Sequence, residues 1–285
     1  LLILVWPFCG ALPAAGAARA PALNEGFGWD GRSERLHFDI RWWFLTVGHA
    51  VIQARPLADF DQVEFRIEVC STPFVDRFYK IRDLVTARAG LKQGRLQSRR
   101  YRLRQRGGDD REDLLVIFAP PRGAVLHDFR KQTRRSYATP RGAMDVVSAF
   151  FATRAARLRV GDTVRLPIFD KDKGYVLEVE TVHRENAGSV LGADQPLLLI
   201  EPRLKSDGFF RRSGQIRIWL SADGQHLPVA LEAKARFGTI RAELQAVIRE
   251  EAAPLKGKGF ACEAAGYSST ARHGNTLFKA GGDDP

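Results

Sequence analysis

Cysteine is scarce. Cys9, Cys70 and Cys262 are the three in 285 residues, and no two form a CxxC pair. That excludes a thioredoxin-type redox site and a structural zinc cluster. The six histidines are scattered, with no H-E-x-x-H and none paired at helical spacing, so no metalloprotease signature is present. Walker and dinucleotide glycine loops and the G-x-S-x-G elbow are also missing. No metal and no cofactor are therefore expected. Acids are the minority charge, 33 against 44 Lys+Arg, which leaves a net charge of +11. With 45% hydrophobic and 27% charged residues, the chain is neither collagen, coiled coil nor a polytopic membrane protein.

Charge is absent altogether from residues 1–18, LLILVWPFCGALPAAGAA. An apolar run followed by Ala18-Arg19-Ala20 matches the core and cleavage site of a secretory signal peptide. The pattern predicts a signal over 1–20, cleaved after Ala20, and a periplasmic mature protein. The alternatives are an inner-membrane anchor through residues 1–18, which Pro7, Gly10 and Pro13 interrupt, and a lipoprotein acylated at Cys9, which the preceding Trp6-Pro7-Phe8 fits poorly. In an oxidising compartment Cys70 and Cys262 could pair, although spacing alone does not establish the geometry.

Period-two alternation dominates the chain from Leu36 onward. Leu36, Phe38, Ile40, Trp42 and Phe44 share one face of a strand. Val63, Phe65, Ile67 and Val69 repeat the pattern, as do Ile216, Ile218 and Leu220 against Gln215, Arg217 and Trp219. Two more such strands lie around Leu231–Phe237 and Ile240–Ile248. One apolar and one polar face is the mark of an antiparallel sheet wet on one side. Asp223-Gly224, Phe237-Gly238 and Lys171–Gly174 read as turns between consecutive strands. Pro73–Tyr79 (PFVDRFY) is a short helix or a strand lead-in. Asp145–Arg157 reads as the main helix, with Val147, Phe150, Phe151 and Ala155 on one side and Asp145 or the Thr139-Pro140 step as its cap. The fold expected is mainly β: one domain over 21–250, a single curved antiparallel sheet, half-barrel or open-barrel-like, with one main helix packed on it. Residues 251–285 are Gly-rich and without periodicity, and read as a flexible tail.

The ordered set of short segments resembles a bacterial envelope family, domain of unknown function 3108. It runs from Glu34–Trp42 and Val47–Ala50 through Phe78–Asp83, then Asp145–Phe151 with Arg154, and Val160–Asp162. It ends with Ile218–Gly224, Leu227–Val229 and Phe237-Gly238. The resemblance implies an exported, mostly β protein without assigned catalytic residues.

The most unusual stretch is Ser98–Arg106, SRRYRLRQR. In an extended strand Arg100, Arg102, Arg104 and Arg106 share one face, about 6.5–7 Å apart, while Tyr101 and Leu103 take the other. Such guanidiniums repel unless anions or acids lie between them, and their planar fork suits phosphate and carboxylate. The row is a candidate anion-binding strip. The more economical reading is a solvated face paired with Asp109, Asp110, Glu112 and Asp113 across the Gly107-Gly108 turn. Arg130, Lys131, Arg134 and Arg135 add to the basic character nearby. Trp42, Phe44, Phe150 and Phe151 are candidates for an apolar groove on the concave face, against the alternative of a filled core. His37, Asp39 and His49 could meet as a polar site. Ser148 three residues after Asp145 lacks a histidine and reads as packing beside a cap.

The expectation is a non-enzymatic envelope protein that binds or carries an amphiphilic or anionic component, a lipid or an anionic glycan. Contact with a membrane surface is compatible with the charge, and no nucleic-acid partner is expected. The alternatives are a structural module that holds an acidic envelope protein through the strip or a free sheet edge, and a hydrolase of cell-wall or capsule polysaccharide. The hydrolase would need paired acids that sequence cannot place.

Overall fold

The period-two segments become strands nearly throughout. The computed structural model describes residues 32–57, 62–92, 95–186, 196–206, 209–210, 216–235 and 238–251. Its first half contains β1 (Arg32–Trp42), β2 (Leu45–Pro56), β3 (Gln62–Ser71), helix α1 (Pro73–Asp76), β4 (Arg82–Lys92) and β5 (Arg95–Gly107). Then come β6 (Asp110–Ala119), β7 (Gly123–Asp128), β8 (Thr133–Ala138) and helix α2 (Val146–Arg154). The second half holds β9 (Thr163–Asp170), β10 (Lys173–Asn186), β11 (Pro196–Ser206), β12 (Phe209–Phe210), β13 (Ile216–Ser221), β14 (Pro228–Ala235) and β15 (Gly238–Glu251).

All of them form one antiparallel sheet. Its order is β8-β7-β6-β5-β4-β3-β2-β1-β15-β14-β13-β11-β10-β9, with β12 beside β11. Two meanders therefore grow outward from a central seam, where β1 pairs with β15 over Arg32↔Glu251 to Trp42↔Ile240. The two edge strands, β8 and β9, are joined by the segment that carries α2. That segment also bridges the edges: Met144 receives and returns backbone hydrogen bonds with Pro167 and Phe169 on β9, and Thr139 N–H donates to Arg122 O in the β6–β7 turn.

Helix α2 lies against the concave face, contacting β4 and β5 on one side and β9 on the other. It is buried all round rather than along one stripe, from Val147 through Arg154. The reason is composition: between its ends it offers the curled sheet only Ser148 and Thr153 as polar side chains, and a helix apolar on every side belongs inside. Phe151 stacks on Phe65 of β3 at 4.1 Å between centroids. Asp145 caps the helix, as expected. Its Oδ1 accepts the Val147 and Ser148 N–H groups (3.0 and 2.8 Å), and its Oδ2 accepts the Ser98 and Ser148 hydroxyls (2.6 and 2.7 Å). At the other end Arg154, fully buried, donates to Glu34 of β1 (2.9 Å) and to His226 O (3.0 Å). That guanidinium ties the helix C-terminus to the seam.

Asp223-Gly224 lies, as expected, between two paired strands, in the loop Ala222–Leu227, where Asp223 Oδ1 accepts the Gln225 and His226 N–H groups and positive φ falls on His226. Two expectations need correction. Trp219 is not solvent-facing. It sits in a small outer cluster with Leu197, Leu199, Val229 and Ala230, under the Arg241 guanidinium. Trp43 and Phe44 do not continue β1; they form the turn to β2, with Trp43 at φ 56°. The signal, residues 252–285 and Phe237 lie outside the described residues. PFVDRFY does open as a helix, with Thr72 as its N-cap.

Candidate functional site

The four arginines of β5 point outward as the period predicts, and Tyr101 and Leu103 point into the core. Register sets their neighbours. Arg102 lies opposite Leu115 of β6, Leu115 opposite His127 of β7, and His127 opposite Arg134 of β8. One row over, Arg100 faces Ile117 and Ile117 faces Val125. Phe129 lies with its ring 4.0 Å from the Arg102 guanidinium carbon. Its other neighbour is His127, stacked at 6.2 Å. The outcome is an apolar centre, with Ile117 and Phe129 both exposed, ringed by Arg100, Arg102, Arg104 and Arg134.

The acids foreseen as local partners divide differently. Asp113 pairs with Arg102 at 2.5 Å. Glu112 alternates to the concave side, where it accepts Lys171 Nζ at 2.7 Å. Among the described residues, Arg100, Arg104 and Arg106 have no acid within ion-pair distance. Across the strand pairs, Arg100 meets Arg88 and Arg106 meets Arg111, like charges opposite each other, while Arg104 lies opposite Asp113. Burial, with Arg104 and Arg100 on either side, holds the Arg102 guanidinium below its ordinary pKa despite Asp113.

The outer face from β10 across to β1 is built the other way. Glu180, Arg203, Glu201, Arg217, Glu232, Arg241, Glu243 and Arg41 alternate in sign across six strands, at separations of 3.0–4.0 Å. Glu64 of β3 likewise joins Arg55 (3.2 Å) and Arg88 (2.8 Å). The ladder stops at β5. Sequence reasoning found the arginine row because its period is local. It missed Phe129 and Ile117, which the row meets only through strand register.

The groove candidates are split. Phe150 and Phe151 are buried in the core with α2, whereas Trp42 and Phe44 stand at the exposed β1–β2 turn. They share no lining, because the sheet ends before Phe44. His49 and Asp39 do meet, at 2.9 Å between Nδ1 and Oδ1. His37 lies on the same strand face, half-buried, its pKa lowered by burial and by Arg35. Cys70 is disulfide-bonded, and Cys262 lies outside the described residues. A second titratable group lies on the concave side. Burial, with a smaller contribution from Glu112, pushes Asp83 and Asp170 up to about 6. The Arg106 N–H and Gln105 Nε2 take up the Asp83 oxygens (3.2 and 3.5 Å), and among the described residues no group of acids, histidines or cysteines is arranged to hold a metal ion.

The profile of a family described as protein of unknown function (DUF3108) matches residues 37–245. No curated protein matches. Among solved structures, a β-barrel-like protein of domain of unknown function DUF1849 from Brucella abortus is similar at 9% identity and a TM-score of 0.49. The likeness covers 78% of this chain and 99% of that one.

Proposed function

The chain belongs to the DUF3108 family, and from that premise we propose that it is an exported, non-enzymatic envelope protein that binds an anionic amphiphile on the outer face of β5 to β8. The observation that carries this is the break in charge matching. From β10 across to β1 arginines alternate with glutamates, whereas among the described residues Arg102 and Arg104 share the single acid Asp113 and Arg100 and Arg106 have no ion-pair partner. Holding the β5 arginines about 6.5–7 Å apart has an electrostatic cost that a bound phosphate or carboxylate removes. Ile117, Val125 and Phe129 give the attached hydrocarbon a surface beside the charges. The disulfide at Cys70 supports an oxidising compartment such as the periplasm. Asp145 and Ser148 serve as the cap of α2, the Asp145 carboxylate accepting both the Ser148 N–H and its hydroxyl.

The test uses a single-chain amphiphile below its micelle concentration, dodecyl phosphate against neutral dodecyl maltoside, titrated by calorimetry. The phosphate is expected to bind at least tenfold tighter. Arg100→Glu with Arg104→Glu removes that preference, and Arg203→Glu in the matched ladder leaves it intact. Equal binding of both amphiphiles, or an unchanged double variant, overturns the reading.

A further inference from the structure

The two ends of the sheet are unequal. In an antiparallel meander the β1–β2, β3–β4, β5–β6 and β7–β8 connections all emerge at one end. Three of these four carry exposed rings. Trp43 and Phe44 are 77% and 83% exposed at the β1–β2 turn, Phe74 and Phe78 are 61% and 79% exposed on the α1 loop, and Phe129 is 48% exposed at the β7–β8 turn. The described residues of the opposite connections are Leu57, Pro120, Pro121 and Arg122, with no ring among them; Phe60, on the β2–β3 connection, lies outside the described residues. Hairpin turns favour polar residues, so rings at successive tips need a reason.

These rings stand on a fixed base. Pro73 opens α1, and Asp76 receives Arg82 Nη2 at 2.6 Å. Tyr79 closes the loop by lying over Gly107 and Gly108. A Cβ on Gly108 would come within 2.7 Å of its ring, so the β5–β6 turn has to be glycine there. Gly108 N–H also donates to Lys80 O at 3.0 Å. Tyr79 lies against the β5–β6 turn and stays 45% exposed, while Phe74 and Phe78, edge to face at 5.8 Å, are more exposed still.

The same loops are cationic. Arg77 and Lys80 flank Phe78, and Arg130 and Lys131 follow Phe129. Their acids are engaged: Asp76 with Arg82, and Asp128 with the Arg130 and Lys131 N–H groups and the Lys131 ammonium. Three exposed acids also lie at this end, Asp109 and Asp110 on the β5–β6 turn beside the Tyr79 ring and Asp172 on the β9–β10 turn, so the cationic loops are those of α1 and β7–β8. Aromatic tips interleaved with Lys and Arg suit the headgroup layer of an anionic bilayer, where rings settle at the interface and cations meet phosphates. A second copy of the chain would bring the same cations face to face.

We propose that this rim docks on an anionic phospholipid bilayer, with Phe44, Trp43, Phe74, Phe78 and Phe129 entering the headgroup region and Arg77, Lys80 and Arg130 pairing with lipid phosphates. The proposal goes beyond amphiphile binding on β5 and stands or falls apart from it. Where both hold, Phe129 joins them: its ring belongs to the rim and covers Arg102, so the strip begins at the membrane surface.

The experiment uses the full chain with Trp6→Phe and Trp29→Phe, so that emission comes from Trp42, Trp43 and buried Trp219. It is titrated with phosphatidylcholine vesicles with and without phosphatidylglycerol, both with brominated acyl chains. Quenching by the anionic vesicles is expected, and Phe44→Ser with Phe78→Ser should weaken binding at least tenfold, at about tenfold per fully inserted ring. Both positions are exposed, so the circular dichroism spectrum should not change. Phe44→Ser with Phe78→Ser should leave dodecyl phosphate binding within about twofold, which separates this rim from the β5 strip. Absence of quenching by anionic vesicles, or an unaltered Phe44→Ser/Phe78→Ser protein, overturns the proposal. So does a dimer by sedimentation that the same double variant dissociates, since the rim is then a self-contact.

Discussion

Replacing Asp83 by Asn should stabilise the protein at neutral pH and leave it unchanged in acid. The side chain is buried on the concave face and its carboxyl is pushed up to about 6, first by burial and then by Glu112. In the unfolded chain the ordinary value is 3.8. Between those values the folded state holds more protons than the unfolded one, so stability falls as pH rises from about 4 to about 6 and stays lower above that. A shift of about two units corresponds to roughly 3 kcal/mol. Asn keeps a carbonyl for the Arg106 N–H and does not ionise. The expected gain at pH 7.5 is therefore about 2–3 kcal/mol, falling to nearly nothing at pH 4. Urea unfolding at the two pH values reads it directly, and the thermal midpoint at pH 7.5 should rise by roughly 5–10 °C. Asp170, also raised to about 6, adds a parallel slope, so the variant keeps part of the dependence. A gain that is equal at both pH values, or a loss at pH 7.5, refutes the reasoning.

Arg154→Leu should destabilise by about 3–5 kcal/mol in urea unfolding, because it leaves Glu34 with Arg249 alone and frees the His226 carbonyl; a loss under about 1 kcal/mol would contradict the tie between helix and seam. Gly174→Ala should lower stability by about 1–3 kcal/mol, since its Cβ would stand 2.7 and 2.8 Å from the Pro140 ring carbons. A thermal midpoint equal to that of the parent would show that the bridging segment moves aside freely.

Much of this architecture is written in local period. Leu36, Phe38 and Ile40 face the core as their alternation demands, and so do Val63, Phe65 and Val69. The arginine row of β5 was legible for the same reason, since its face depends on nothing beyond the strand. What depends on register was hidden. Asp113 and Glu112 are adjacent in sequence, yet one holds Arg102 outside and the other holds Lys171 inside. The burial of α2 on all sides had a trace in its composition, which lacks a polar face. The exposure of Trp43 and Phe44 did not follow from alternation, because a period cannot say where a strand stops. The split of the four groove candidates came from that one missing boundary.

The pairing of β1 with β15 has a consequence for how the chain reaches its final form. The two meanders share their longest common border only through these strands, and they lie about two hundred residues apart in sequence. Until β15 emerges, β1 offers a bare apolar margin and α2 has no complete wall around it. Such distant pairing makes folding slow and late, gathered into one closing event. A polypeptide arranged this way keeps its two halves apart until its last strand has been made, so its stability arrives with its final residues.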